Sequence, residues 1–239
     1  DRLPDRRSGD WTLEELRGVV DQFVLHYDVS GTSRTCFRVL QDSRGLSVHF
    51  LLDVDGIIYQ TLDLEERAWH ATKANDRSIG IEIANIGAYS IEDPATLDEW
   101  YTTRDDGTVV MTLPERFGDG GIRTPGFVAS PDRPERVRGT INDRELVMYD
   151  LTPQQYDSLI KLTATLHAVF PNMKLEAPRE PDGDIEPGVL SDQDFDAFAG
   201  VLGHFHVQRN KVDPGPAFQW DRVLEGARDL TAQRHGERR

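Results

Sequence analysis

Apolar positions recur along the chain in two periods, and their alternation predicts helices interleaved with short strands. Thr12 and Glu15 have capping-box spacing ahead of Leu13, Leu16, Val19 and Val20, a stripe at helical intervals. Residues 23–27 (Phe-Val-Leu-His-Tyr) read as a buried strand and 33–40 as a helix. The runs 48–52 and 57–60 flank Asp55-Gly56, a hairpin signal. In 78–83, Ile79, Ile81 and Ile83 fall on one face, leaving Gly80 and Glu82 on the other. Thr152, Pro153 and Gln155 mark the start of a helix running to about Phe170. Ser191 caps a short helix, 200–207 reads as the last strand, and Val223, Leu224, Ala227 and Leu230 stripe a closing helix. The pattern predicts an α/β or α+β chain.

The rhythm breaks over 86–150, which holds five prolines and seven glycines. This stretch reads as a long insertion with some structure of its own, such as a strand near 108–113, and not as a separate domain. One domain over 1–239 is expected. Lys plus Arg number 27 against 42 Asp plus Glu, a formal net charge of −15. No basic run offsets that excess, so nucleic acid is a poor partner. Cys36 is the sole cysteine, so no internal disulfide forms. No stretch approaches the roughly 20 apolar residues that span a bilayer.

Candidate chemistry centres on histidine. His167 lies within a helix and His235 in a charged tail, whereas His26, His49, His70, His204 and His206 lie on or beside expected strands. Catalytic zinc takes three protein ligands of the imidazole, carboxylate or thiolate type and keeps one position open. His26 and His204 sit in apolar surroundings, where an imidazole needs a partner. Asp213 precedes Pro-Gly-Pro, which restricts its backbone. Taken singly, each of these is ordinary, and no short-range ligand signature is present.

Four stretches in order change that reading. They are 24–27; 47–60 with Ala68-Trp69-His70-Ala71; 75–82, Asn-Asp-Arg-Ser-Ile-Gly-Ile-Glu; and Gly203-His204 with 211–218. Together they resemble the type 2 N-acetylmuramoyl-L-alanine amidases, a zinc family sharing its fold with peptidoglycan recognition proteins. The resemblance implies a central mixed β-sheet flanked by helices. It implies a Zn2+ cofactor held by His26, His204 and Asp213, Glu82 as general base, and Lys211 stabilising the oxyanion. It also places His49, Trp69, His70 and Asn75 near the substrate, with Trp69 open to a core role and His49 to orienting a ligand. Val48 stands where some members carry Tyr, which puts more weight on Glu82. On a regular strand His206 would point with His204, which leaves a ligand swap open, although Gly203 supports His204.

The implied reaction is hydrolysis of the amide between N-acetylmuramic acid and L-alanine in peptidoglycan or muropeptides. A monomer in the cell envelope or secreted is expected, with a cytoplasmic recycling role as the other location. Two rivals stand beside it: a non-catalytic peptidoglycan-binding module on the same fold, and a zinc peptidase cutting within the stem peptide. The insertion is expected either to wall the substrate cleft, since it follows the Glu82 strand, or to be peripheral.

Overall fold

The capping box at Thr12 and Glu15 forms as expected and starts α1 (Leu13–Val19), which leads into the central strand β1 (Gln22–Tyr27). The structure, a computed structural model, describes residues 11–236. β1 pairs in parallel with β4 (Ser78–Ile83) on one side and β10 (Gly200–Gly203) on the other. Beyond β4 come β2 (Phe50–Leu52), also parallel, and β3 (Ile58–Gln60), antiparallel, giving the order β10-β1-β4-β2-β3. The sheet is therefore mixed and flanked by helices, an α/β architecture.

Period-two alternation divides the sheet into two faces. Phe23 and Leu25, Ile79, Ile81 and Ile83, and Phe50 and Leu52 are buried in the main core. Opposite them pack α4 (Pro153–Val169), through Tyr156, Leu159 and Leu166, and α7 (Trp220–Gly236), through Val223 and Leu224. The capping box at Thr152 and Gln155, with proline in the first turn, fixes the start of α4. The other face carries Val24, His26 and Asp28 from β1 and its extension, and Gly80 and Glu82 from β4. α2 (Ser33–Arg38) and the π-helical turn Val39–Arg44 cover part of this second face. The cross-strand register His26↔Glu82 sets those two side chains next to each other.

Between β4 and α4, residues 86–150 are ordered into β5 (Tyr89–Ser90), α3 (Ala95–Trp100), the hairpin β6 (Tyr101–Thr103) and β7 (Val109–Met111), and the strands β8 (Val137–Ile141) and β9 (Arg144–Met148). β5, β9 and β8 form a separate three-stranded sheet. Trp100, Leu97, Ile86, Val147 and Tyr149 give the stretch a small core of its own. It is also tied to the main body: Asp150 accepts from Arg133, from the Tyr156 hydroxyl at 2.5 Å and from Gln219 at 2.8 Å. No helix among the described residues is long and apolar enough to cross a membrane.

One expected element differs. The last strand stops at Gly203, and residues His204–Val207 form a single helical turn, α6. The Gly203 N–H is taken by the His206 ring at 2.9 Å instead of by a neighbouring strand, so the ladder ends there. An apolar run of this length does not distinguish strand from helix by periodicity.

Candidate metal centre and active site

The end of β1 and the turn after β10 bring His26, His204 and Asp213 together from positions up to 187 residues apart. His26 Nδ1 lies 2.9 Å from His204 Nδ1 and 2.9 Å from Asp213 Oδ2, and His204 Nδ1 lies 3.0 Å from the same carboxylate oxygen. All three residues are buried. Ligand atoms bound tetrahedrally at zinc–nitrogen distances sit roughly 3.3 Å apart, close to this spacing.

The outer nitrogens determine what these three atoms can do. His204 Nε2 donates to Gln208 Oε1 at 2.7 Å, four residues on, so its Nδ1 is left as a lone pair. His26 Nε2 lies 2.8 Å from His70 Nδ1, and His70 Nε2 lies 3.1 Å from Ser78 Oγ. Donation from His26 to His70 and from His70 to Ser78 would leave His26 Nδ1 unprotonated as well. Two imidazole lone pairs and a carboxylate then face one another with no hydrogen between them, an arrangement that a cation satisfies. The donor set of two imidazoles and one carboxylate, with one side facing a cavity, fits catalytic zinc.

The electrostatics agree. Burial, with His204 beside it, pushes the His26 imidazole down to about 4 and keeps it neutral.

His70 fits because position 80 has no side chain. A Cβ there would stand 2.6 Å from His70 Cε1, so the ring lies flat against the β4 backbone. Asn75 Oδ1 holds the turn beneath it by accepting from the N–H groups of His70 and Ala71.

The trio opens onto a cavity of about 350 Å³. Glu82, Lys211, His70 and Trp69 line it too. Glu82 Oε2 is buried and has no hydrogen-bond partner among the described residues. Burial, then the neighbouring Asp213 and Asp28 carboxylates, push the Glu82 carboxyl well above its ordinary value. Asp28 lies on the same face, and burial raises it to about 7 although its Oδ1 accepts from Ser30, Gly31 and Asn85 N–H. Trp69 is half-exposed at the rim, with the Arg67 guanidinium stacked 3.9 Å from its ring centroid.

The remaining candidate residues lie elsewhere around the site. His49 is fully buried. Its Nδ1 accepts from Gly80 N–H, and its Nε2 lies 3.0 Å from the Glu66 carbonyl, so it braces β2 against β4 and is not among the cavity's lining residues. Asn75 is also buried, behind His70. His206 does not compete with His204: the helical turn points it away, onto Gly203 N–H and the Glu186 carbonyl at 2.9 Å. None of residues 86–150 lines this cavity. Gln208 was missed, because its partnership with His204 is an i,i+4 contact that only the helical turn creates. The His235 side chain lies outside the described residues.

Comparison with known proteins adds the following. No curated protein matches the chain. Among solved structures, AMPDH3 of Pseudomonas aeruginosa in complex with anhydromuramic pentapeptide is 21% identical, with a TM-score of 0.47, over 87% of this chain and 59% of that one. The N-acetylmuramyl-L-alanine amidase AmiD of E. coli, bound to anhydro-N-acetylmuramic acid-L-Ala-D-gamma-Glu-L-Lys, is 19% identical, with a TM-score of 0.46, over 87% and 57%. LysC of Clostridium intestinale, an N-acetylmuramoyl-L-alanine amidase, is 16% identical, with a TM-score of 0.45, over 88% and 86%. The chain thus spans less than two thirds of the first two. A family model described as N-acetylmuramoyl-L-alanine amidase matches residues 16–105, which include His26, Trp69, His70 and Glu82 and stop short of His204 and Asp213. Over residues 16–105, well under half of its length, the chain is thus similar to the N-acetylmuramoyl-L-alanine amidase family.

Proposed function

We propose that this chain is a zinc-dependent N-acetylmuramoyl-L-alanine amidase, hydrolysing the amide between the lactyl group of N-acetylmuramic acid and L-alanine. The observation that carries the reading is the meeting of His26 Nδ1, His204 Nδ1 and Asp213 Oδ2 in a cavity that also holds Glu82. These three residues would hold the ion. When bound, zinc supplies Lewis acidity, which polarises an amide carbonyl and acidifies water.

The chain's own groups supply the rest. His70 and Gln208 keep the ligand imidazoles in the tautomer that offers Nδ1. Glu82, with Oε2 free of protein donors, accepts the proton of the attacking water and passes it to the amine nitrogen as the C–N bond breaks. One C–O bond forms, one C–N bond breaks, and the proton ends on the leaving L-alanine amine. Lys211 carries a positive charge at the cavity wall for the oxygen that becomes negative. Trp69 offers an exposed aromatic face at the rim for the sugar or peptide.

The test is digestion of a muramoyl peptide by the zinc-loaded chain, with products read by mass spectrometry. Release of the sugar and the intact peptide is expected. Cleavage within the peptide, or no cleavage with zinc bound, overturns the reading. Glu82→Gln is expected to lower kcat by roughly a hundredfold or more while zinc stays bound.

A further inference from the structure

A second cavity, about 500 Å³, lies on the other side of α2. Cys36, Val39 and Leu40 face the first cavity, while Ser33, Arg34, Phe37 and Arg38 line the second. β3 supplies Tyr59, and the insertion supplies Arg123. Three guanidiniums therefore line this groove and no carboxylate does, in a chain whose acidic residues outnumber its basic ones by 42 to 27. Arg34 pairs with Asp119 at 2.9 Å, whereas Arg38 and Arg123 have no ion-pair partner among the described residues. Ser33 is 3% exposed, and its hydroxyl has no hydrogen-bond partner among the described residues. Phe37 is 44% exposed. The insertion is fitted to this place: Gly121 has φ +76°, and a Cβ on it would stand 2.7 Å from Arg34 Cδ.

Guanidinium pairs with carboxylate in a planar, two-bond geometry, and aromatic faces accept the apolar body of a peptide. The net charge of −15 opposes an anionic polymer, so a groove lined by guanidiniums is where one would approach. We propose that this groove binds a carboxylate-bearing stem peptide of polymeric peptidoglycan while the first cavity acts on a neighbouring stem of the same polymer. The inference rests on the amidase reading and adds a substrate class to it. Exposed arginine contacts are individually weak. Tethering makes the second contact intramolecular, so their sum matters for a polymer and not for a fragment carrying one stem.

The test compares the zinc-loaded full chain with the variant Arg34→Ala/Arg38→Ala/Arg123→Ala on two probes, insoluble peptidoglycan and a soluble muramoyl tripeptide. A roughly tenfold loss of kcat/KM on the polymer is expected, with less than about a twofold change on the soluble probe. Added salt is expected to bring the unaltered chain down toward the variant on the polymer alone. The variant Arg34→Lys/Arg38→Lys/Arg123→Lys is expected to keep part of the polymer activity, since it carries the charge without the planar fork. Equal losses on both probes, or no loss on the polymer, overturn the groove proposal while leaving the amidase reading intact. Failure of the unaltered chain on both probes overturns the amidase reading, and the groove proposal with it.

Discussion

Placing a methyl group at position 80 tests how the site is built. In Gly80→Ala the new Cβ would stand 2.6, 2.7 and 2.9 Å from Cε1, Nδ1 and Cγ of His70, whereas ordinary contact begins near 3.4 Å. The ring must retreat by about 0.8 Å from the new methyl group, which disturbs the 2.8 Å contact between His26 Nε2 and His70 Nδ1. Overpacking of this kind costs about 1–3 kcal/mol of stability. Loss of a partner that orients a metal ligand typically weakens metal binding by about 10–100-fold, or ~1.4–2.7 kcal/mol. The assay is a double-mutant cycle with His70→Ala, reading urea unfolding of the metal-free protein and zinc affinity by chelator competition. With the ring gone, the three atoms nearest the new Cβ are gone too, and replacing a strand glycine is worth roughly 0.5–1 kcal/mol in its favour. The cycle should therefore show a coupling of at least about 1 kcal/mol. If Gly80→Ala costs the same stability and the same zinc affinity in both backgrounds, the idea that position 80 seats His70 against His26 is wrong.

Gln208→Ala should weaken zinc binding by about tenfold without unfolding the protein, because His204 loses the acceptor that sets its tautomer; unchanged affinity in the same chelator assay contradicts that role. Asp213→Asn should abolish tight zinc binding, read as metal content after dialysis, since the site loses its charged ligand. His206 gives a pH signature independent of the metal. Burial lowers its pKa from 6.5 to about 3, so between those values the unfolded chain binds a proton that the folded chain does not. Its contribution to stability is complete above about pH 6.5 and is lost as pH falls toward 3. Its ring signals in NMR should accordingly stay in the neutral form from pH 7 to 5, and titration near 6.5 refutes that burial.

How far the sequence reveals this site depends on which interactions set each residue. His26, Gly80 and Glu82 share a face because β1 and β4 are regular strands, and period-two alternation is visible without coordinates. His204 was legible through its resemblance to a family motif but was placed on the wrong element, since the run 200–207 is apolar enough for either strand or helix. That error hid Gln208 and kept His206 in play. His49 and Asn75 are placed near the substrate by the family resemblance alone. His49 bonds backbone groups of Glu66 and Gly80, which no local pattern encodes, whereas Asn75 closes its own turn on the N–H groups of His70 and Ala71. The insertion follows the Glu82 strand in sequence, yet it contributes to the groove across α2 and not to the cavity of the histidines, because its path is set by its own small core and by the Asp150 network.

The metal centre is open to direct observation. Crystals of the chain grown with zinc and measured on either side of the zinc absorption edge should give one strong anomalous peak within bonding distance of His26 Nδ1, His204 Nδ1 and Asp213 Oδ2. A peak bound by other residues, or no peak there at saturating zinc, contradicts the account at its centre.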